Sequence, residues 1–203
     1  MVIVENKKSR GRPRAFDREA ALQRAMKVFW AAGYEGTSVP MLTDAMGISA
    51  QSLYAAYGSK DALYREAIDL YRTTIGGFGM HALENADAVE AIARLLRDAA
   101  VVFSSAKTHP GCMITTAPAG ISDDPLTLYG RDLRRQSMRQ VELRLERGVQ
   151  EGQLSADLDC AAWARYVAGV VQGLSVQARD GETRQSLLSM VEIAVRSLDR
   201  IRA

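Results

Sequence analysis

Histidine and cysteine are nearly missing from this chain, with two of each in 203 residues. Two cysteines do not make a disulfide framework, so a reducing cytoplasm is the expected location. The histidines are His81 and His109, and Cys112 lies three residues past the second. A Cys112/His109 nucleophilic pair is conceivable. However, no Gly-rich phosphate loop, paired-carboxylate signature or metal-ligand spacing accompanies it, and one His with one Cys under-coordinates zinc. Cys112 therefore reads first as a small core residue or a cavity wall, and the expectation is no catalysis, no metal and no cofactor. No apolar run approaches the ~18–20 residues of a membrane span, so no membrane partner is expected. The basic beginning is not followed by an apolar segment of the secretory type. A large charge of one sign is missing too: the net charge is +2. There is no internal repeat and no low-complexity block. With 47% hydrophobic and 25% charged residues, the chain has the make-up of a globular protein with a real core, in one large or two small domains.

The small net charge is unevenly spread. Residues 1–60 hold nine basic residues against five acidic ones, a balance of +4, which leaves −2 for the remainder. A basic end on an acidic body fits a polyanion-binding module joined to something else. Residues 1–15 are polar and rich in helix breakers, and are expected to form a flexible arm. Arg10, Arg12 and Arg14 alternate around Gly11 and Pro13, so an extended backbone can lay them along phosphates or into a minor groove.

From residue 16 the pattern turns helical. Asp17 is a good N-cap, with Phe16 placed to staple onto Ala21. Leu22, Ala25, Met26, Phe29 and Ala32 follow at helical spacing and Gly33 ends the run. Thr37 or Ser38 caps a second helix to residue 46, in which Pro40 falls within the first turn. After the turn at Gly47 comes the stretch 48–60. Ile48, Leu53 and Tyr57 share one face, while Ala50, Gln51, Ser52, Tyr54, Ala55 and Ala56 leave the other nearly bare. Such a face enters a groove, where Gln bridges adenine N6 and N7 and Ala methyls meet thymine methyls. Helix, Gly-containing turn, helix is the helix-turn-helix arrangement with its second helix as reader. Ser59 caps a fourth helix, and the backbone amides at its start beside Lys60 form a phosphate site.

Residues 10 to about 72 resemble the DNA-binding domain of TetR/AcrR-type transcriptional regulators. The likeness is carried by the basic G-R-P-R arm, A-x-x-x-F-W-x-x-G-Y-E-G-T-S at 25–38, and G-I-S-x-x-S-L-Y-x-x-Y-x-S-K-x-x-L at 47–63. It implies that Thr37, Tyr54 and Lys60 hold phosphates, with Ser38 nearby, and that Ala50, Gln51, Ser52 and Ala55 face the bases of double-stranded DNA. Family members often carry bulkier residues where this chain has Ala55 and Ala56, which thins direct base reading here. The fold implied is all-α: a three-helix helix-turn-helix domain at 16–60, a linking fourth helix at 60–75, and a ligand-binding and dimerisation domain at 76–203.

In that second part the glycines at 76, 77 and 79 favour a bend or joint. Helices are expected at 88–106, from about 125 to 152, and at about 158–178 and 182–202, with a short one conceivable at 112–119. The arginines of the long helix (131, 134, 135, 139, 144 and 147) read as a solvated, ion-paired face. The resemblance implies that the last two helices build a homodimer interface, and it places Phe78, Phe103, Cys112, Met113, Thr116, Trp163 and Val167 around a cavity for a small, mostly apolar effector. The expected function is a ligand-responsive repressor released from a palindromic operator. Two alternatives stand beside it: a small helical Cys/His hydrolase or transferase, and a DNA-binding architectural dimer without effector.

Overall fold

The computed structural model describes residues 16–105 and 109–203; the arm at 1–15, with Arg10, Arg12 and Arg14, lies outside them. The described residues are helical: α1 (Arg18–Ala32), α2 (Val39–Met46), α3 (Ala50–Tyr57), α4 (Lys60–Thr73), α5 (Phe78–Leu83), α6 (Ala88–Phe103), α7 (Pro125–Gln150), α8 (Cys160–Arg179) and α9 (Arg184–Leu198). Short 3-10 turns at Ile75–Gly77 and Asp199–Ile201 adjoin α5 and α9.

Local chemistry sets the first three boundaries. The Asp17 carboxylate accepts from the backbone N–H groups of Glu19 and Ala20. Ser38, not Thr37, caps α2, its hydroxyl accepting from Met41 N–H. Gly47 ends α2 in the left-handed region (φ 68°), and the next residue, Ile48, donates its N–H to Thr43 O. A residue with a Cβ is strained there, so the tight turn into α3 depends on glycine. Ser49 and Ser59 cap α3 and α4 in turn.

Packing then fixes where α3 sits. α1 lies against α2 and α4. Leu53 and Tyr57 bury the inner face of α3, and the Tyr57 hydroxyl donates to Arg18 O at 2.9 Å. Arg18 also stacks over the Tyr57 ring and makes a two-pronged bond to Glu66 of α4 (2.7 and 2.8 Å). Three helices are thus tied at one point beneath the reader.

In the body, α6 is the central helix: it packs on α5, α7, α8 and α9 and buries ten of its sixteen residues. α7 crosses α8, and α8 meets α9. The joint expected at the glycines is present as the 3-10 turn at Ile75–Gly77, after which α5 forms at once despite Gly79, with Ala82 buried and Phe78 edge-on against Phe103. Three other expectations fail here. α6 ends at Phe103, earlier than 106. No helix forms at 112–119: residues 113–116 make a turn, with Thr116 bonded back to Cys112 O, and the rest is irregular. Arg144 leaves the solvated arginine face: it is buried and donates to the carbonyls of Asn85 and Ala86.

α8 is not enclosed on every side. Ala164, Val167, Val170, Leu174 and Ala178 are buried, yet Tyr166 (41% exposed) and Val176 (52%) stay open, as does Ile193 (65%) on α9. Among the described residues, no helix is long and apolar enough to cross a membrane.

Candidate nucleic-acid interface and interior cavity

The outer face of α3 presents Ala50, Gln51, Tyr54 and Ala55 to solvent. Ser52 is half-buried and shares its hydroxyl with the Ser49 cap at 3.0 Å. Ser38 is exposed at the start of α2. Thr37 departs from its expected place: it is buried, and its hydroxyl donates inward to Gly33 O at 2.6 Å. Nothing in the spacing separated Thr37 from Ser38, because both suit a cap; the turn after α1 brings the Thr37 hydroxyl back onto the Gly33 carbonyl four residues earlier and leaves the cap to Ser38. Lys60 is the first residue of α4, and its ammonium sits 4.1 Å from the centre of the Tyr34 ring. That ring is held by a short hydrogen bond from the Tyr34 hydroxyl to Asp61. Burial, then the Asp61 carboxylate, push the Tyr34 phenol above its ordinary range, so it stays neutral. The first N–H groups of α4 have no partner within the helix. With Lys60 beside them and Tyr54 exposed on α3, one edge of the domain offers donors and a positive charge to an anion.

A cavity of about 780 Å³ lies within the body, between α4, α5, α6, α7, α8 and the loop at 112–115. Its enclosed side is apolar, formed by Phe78, Leu95, Phe103, Val141 and Val167, with Cys112 and Tyr71. Its open side is polar, with Asp69, Arg72, Gln136 and Gln140. Of the seven expected wall residues, Phe78, Phe103, Cys112 and Val167 border this space. Met113, Thr116 and Trp163 do not. Met113 is buried in the core, and Thr115 takes the place foreseen for Thr116. Trp163, one turn before Val167, stacks edge-on against Tyr166 in a separate hollow with Ser197. The contribution of α7 was missed, although Arg134, Met138 and Val141 recur at helical spacing and all border the cavity.

The cavity and the helix-turn-helix domain meet at one cluster. The Tyr71 ring stands 5.1 Å from Trp30 of α1, T-shaped, and the His109 ring lies tilted against Trp30 at 4.6 Å. The Trp30 indole N–H donates to Gly111 O at 3.1 Å. Cys112 N–H donates to the Ser175 hydroxyl of α8, and Arg179 donates to the carbonyls of Trp30 and Ala31. Burial, and then Lys27, lower the His109 pKa. Among the described residues, no group of three or more His, Cys, Asp or Glu side chains could hold a metal ion.

A reader helix set on an all-helical body with an interior cavity defines the class of one-component helix-turn-helix regulators. The comparisons give the particular family. Residues 21–67 match the sequence profile of "Bacterial regulatory proteins, tetR family". The HTH-type transcriptional repressor ComR of Escherichia coli (strain K12) is 32% identical over 194 residues, covering 94% of this chain and 92% of that protein. The HTH-type transcriptional repressor BdcR of the same strain is 30% identical, covering 98% of each. A cysteine variant of the TetR family regulator CifR, solved with a 26-bp double-strand operator DNA, superposes with a TM-score of 0.83 at 44% identity, covering 92% of this chain and 98% of that one. This chain belongs to the TetR family of bacterial regulatory proteins.

The Lys60 side chain affords one test of the interface. Lys60→Ala is expected to weaken DNA binding by roughly 1 kcal/mol on all sequences alike. It should also lower the magnitude of the salt slope by about one. Titrations of labelled duplex at several salt concentrations check both. An unchanged slope would remove Lys60 from the phosphate contacts.

Proposed function

We propose that this protein is a homodimeric transcriptional repressor that holds a palindromic operator with α3 and the start of α4, and that releases it when a small, mostly apolar molecule occupies the cavity. The exposed apolar residues on α8 and α9 serve the dimer, and the Ala-rich outer face of α3 serves the groove. The observation that carries the reading is the Tyr71–Trp30 contact, which joins the cavity wall to the first helix of the DNA-binding domain. A ligand that favours one arrangement of this contact has different affinity for the two states, which ligand-linked release requires. Relatives named as repressors support repression over activation, and a neighbour solved on operator DNA supports the DNA-binding role. The cavity favours an effector-responsive protein over a purely architectural dimer. Catalysis by Cys112 and His109 forms no part of the reading: the Cys112 amide and the His109 ring both serve packing against Ser175 and Trp30.

Selection of bound duplexes from a random pool tests the proposal. A palindrome with half-sites one or more helical turns apart is the expected outcome. Enrichment of asymmetric or unrelated sequences would overturn it.

A further inference from the structure

Tyr71 is fully buried (0% exposed), and among the described residues its hydroxyl has no hydrogen-bond partner of normal geometry. The Met113 backbone N–H and the Cys112 thiol lie nearby, but an N–H can only donate to the phenol oxygen and a thiol is a weak acceptor for its O–H. A buried phenol left in this condition is uncommon and costs free energy, so it calls for an explanation. Burial above all keeps the phenol protonated, far above its ordinary range. Tyr71 borders the cavity together with Phe78, Leu95, Phe103 and Val167, and its phenol keeps an O–H to donate.

The cations of the cavity are differently engaged. Arg134 donates to the carbonyls of Ala117 and Pro118. Arg139 is paired with Glu142 and Glu146. Arg72 is exposed and reaches Gln136 at 3.4 Å. None of these bonds leaves a cation dedicated to the enclosed side, where a carboxylate would be desolvated without a counter-charge.

We propose that the effector carries a neutral acceptor, of the ketone, aldehyde, ester or amide class, and that it places this acceptor on the Tyr71 hydroxyl with its hydrocarbon or aromatic remainder against Phe78, Leu95, Phe103 and Val167. This rests on the proposed role of the cavity as the effector site. It makes Tyr71 both the specificity-determining donor and the residue whose ring passes the ligand's position to Trp30.

Two probes of matched shape test it: 2-acetylnaphthalene, which has the acceptor, and 2-isopropylnaphthalene, which lacks it. Both are titrated by calorimetry into the full-length wild type and Tyr71→Phe. The substitution should weaken the ketone about five- to tenfold and leave the hydrocarbon within about twofold. The carbonyl stretch of the bound ketone should lie at lower frequency in wild type than in the variant. Without ligand, Tyr71→Phe should have an equal or higher Tm, because it removes an unsatisfied group. An unchanged ketone-to-hydrocarbon ratio, or a Tm that falls, overturns the proposal and leaves the cavity's role standing. Failure of both probes to bind either protein overturns the cavity reading and this inference with it.

Discussion

Ile193→Arg should abolish the dimer at micromolar concentration and lower operator affinity by roughly 10²–10⁴. Ile193 is 65% exposed in the protomer, so the substitution removes almost nothing from the protomer's own core. In a two-fold interface each change occurs twice, and two arginines brought face to face without partners lose hydration and repel. The helix-turn-helix units would then bind half-sites independently, which forfeits the effective concentration that linkage supplies. Analytical ultracentrifugation, with circular dichroism to confirm the helical fold, separates loss of assembly from loss of structure. A variant that remains a dimer with full operator affinity would move the interface elsewhere. Val171 of α8 is unsuitable for this purpose because it borders the cavity.

Gly111→Ala should destabilise the protein by about 3 kcal/mol. Gly111 has φ 81°, where a residue with a Cβ loses ~1–2 kcal/mol. A Cβ there would also stand 2.8 Å from the Ser175 carbonyl oxygen, on a rigid helix. Moving the loop aside to relieve that clash breaks the Trp30 bond to Gly111 O, worth roughly 1 kcal/mol. For a chain of this size the corresponding fall in Tm is about 6–12 °C, at ~2–4 °C per kcal/mol. Urea melts followed at 222 nm check the free energy. A change below about 1 kcal/mol would show that the loop is looser than its contacts with α1 and α8 imply.

What the sequence made legible was local. Asp17, Gly47 and Ser59 act on neighbours within four residues, so their roles at helix ends could be named from spacing alone. Trp30 was legible only as a member of the run at 25–38. That it faces Tyr71 depends on how α1 packs on α4, and its bond to Gly111 depends on a loop 81 residues away. Thr116 and Trp163 show the same limit on a smaller scale. A shift of one residue, or of one turn, moves a side chain from a cavity to its surroundings, and composition cannot register that difference. Arg144 read as solvated because its helix is rich in arginine. Its burial follows from where Asn85 and Ala86 place their carbonyls, which no pattern within α7 reveals.

Arg179 closes the end of α1 from the far end of the chain, through the carbonyls of Trp30 and Ala31. The DNA-reading head is for this reason not a portable cassette. A hybrid that joined residues 16–60 to another body would leave those carbonyls and the Trp30 indole without their partners, unless the recipient supplied an arginine and a loop carbonyl at matching positions. Building chimeric switches from this protein therefore means transplanting a seam as well as a reader, and the natural place to cut is not the boundary that the helix-turn-helix motif suggests.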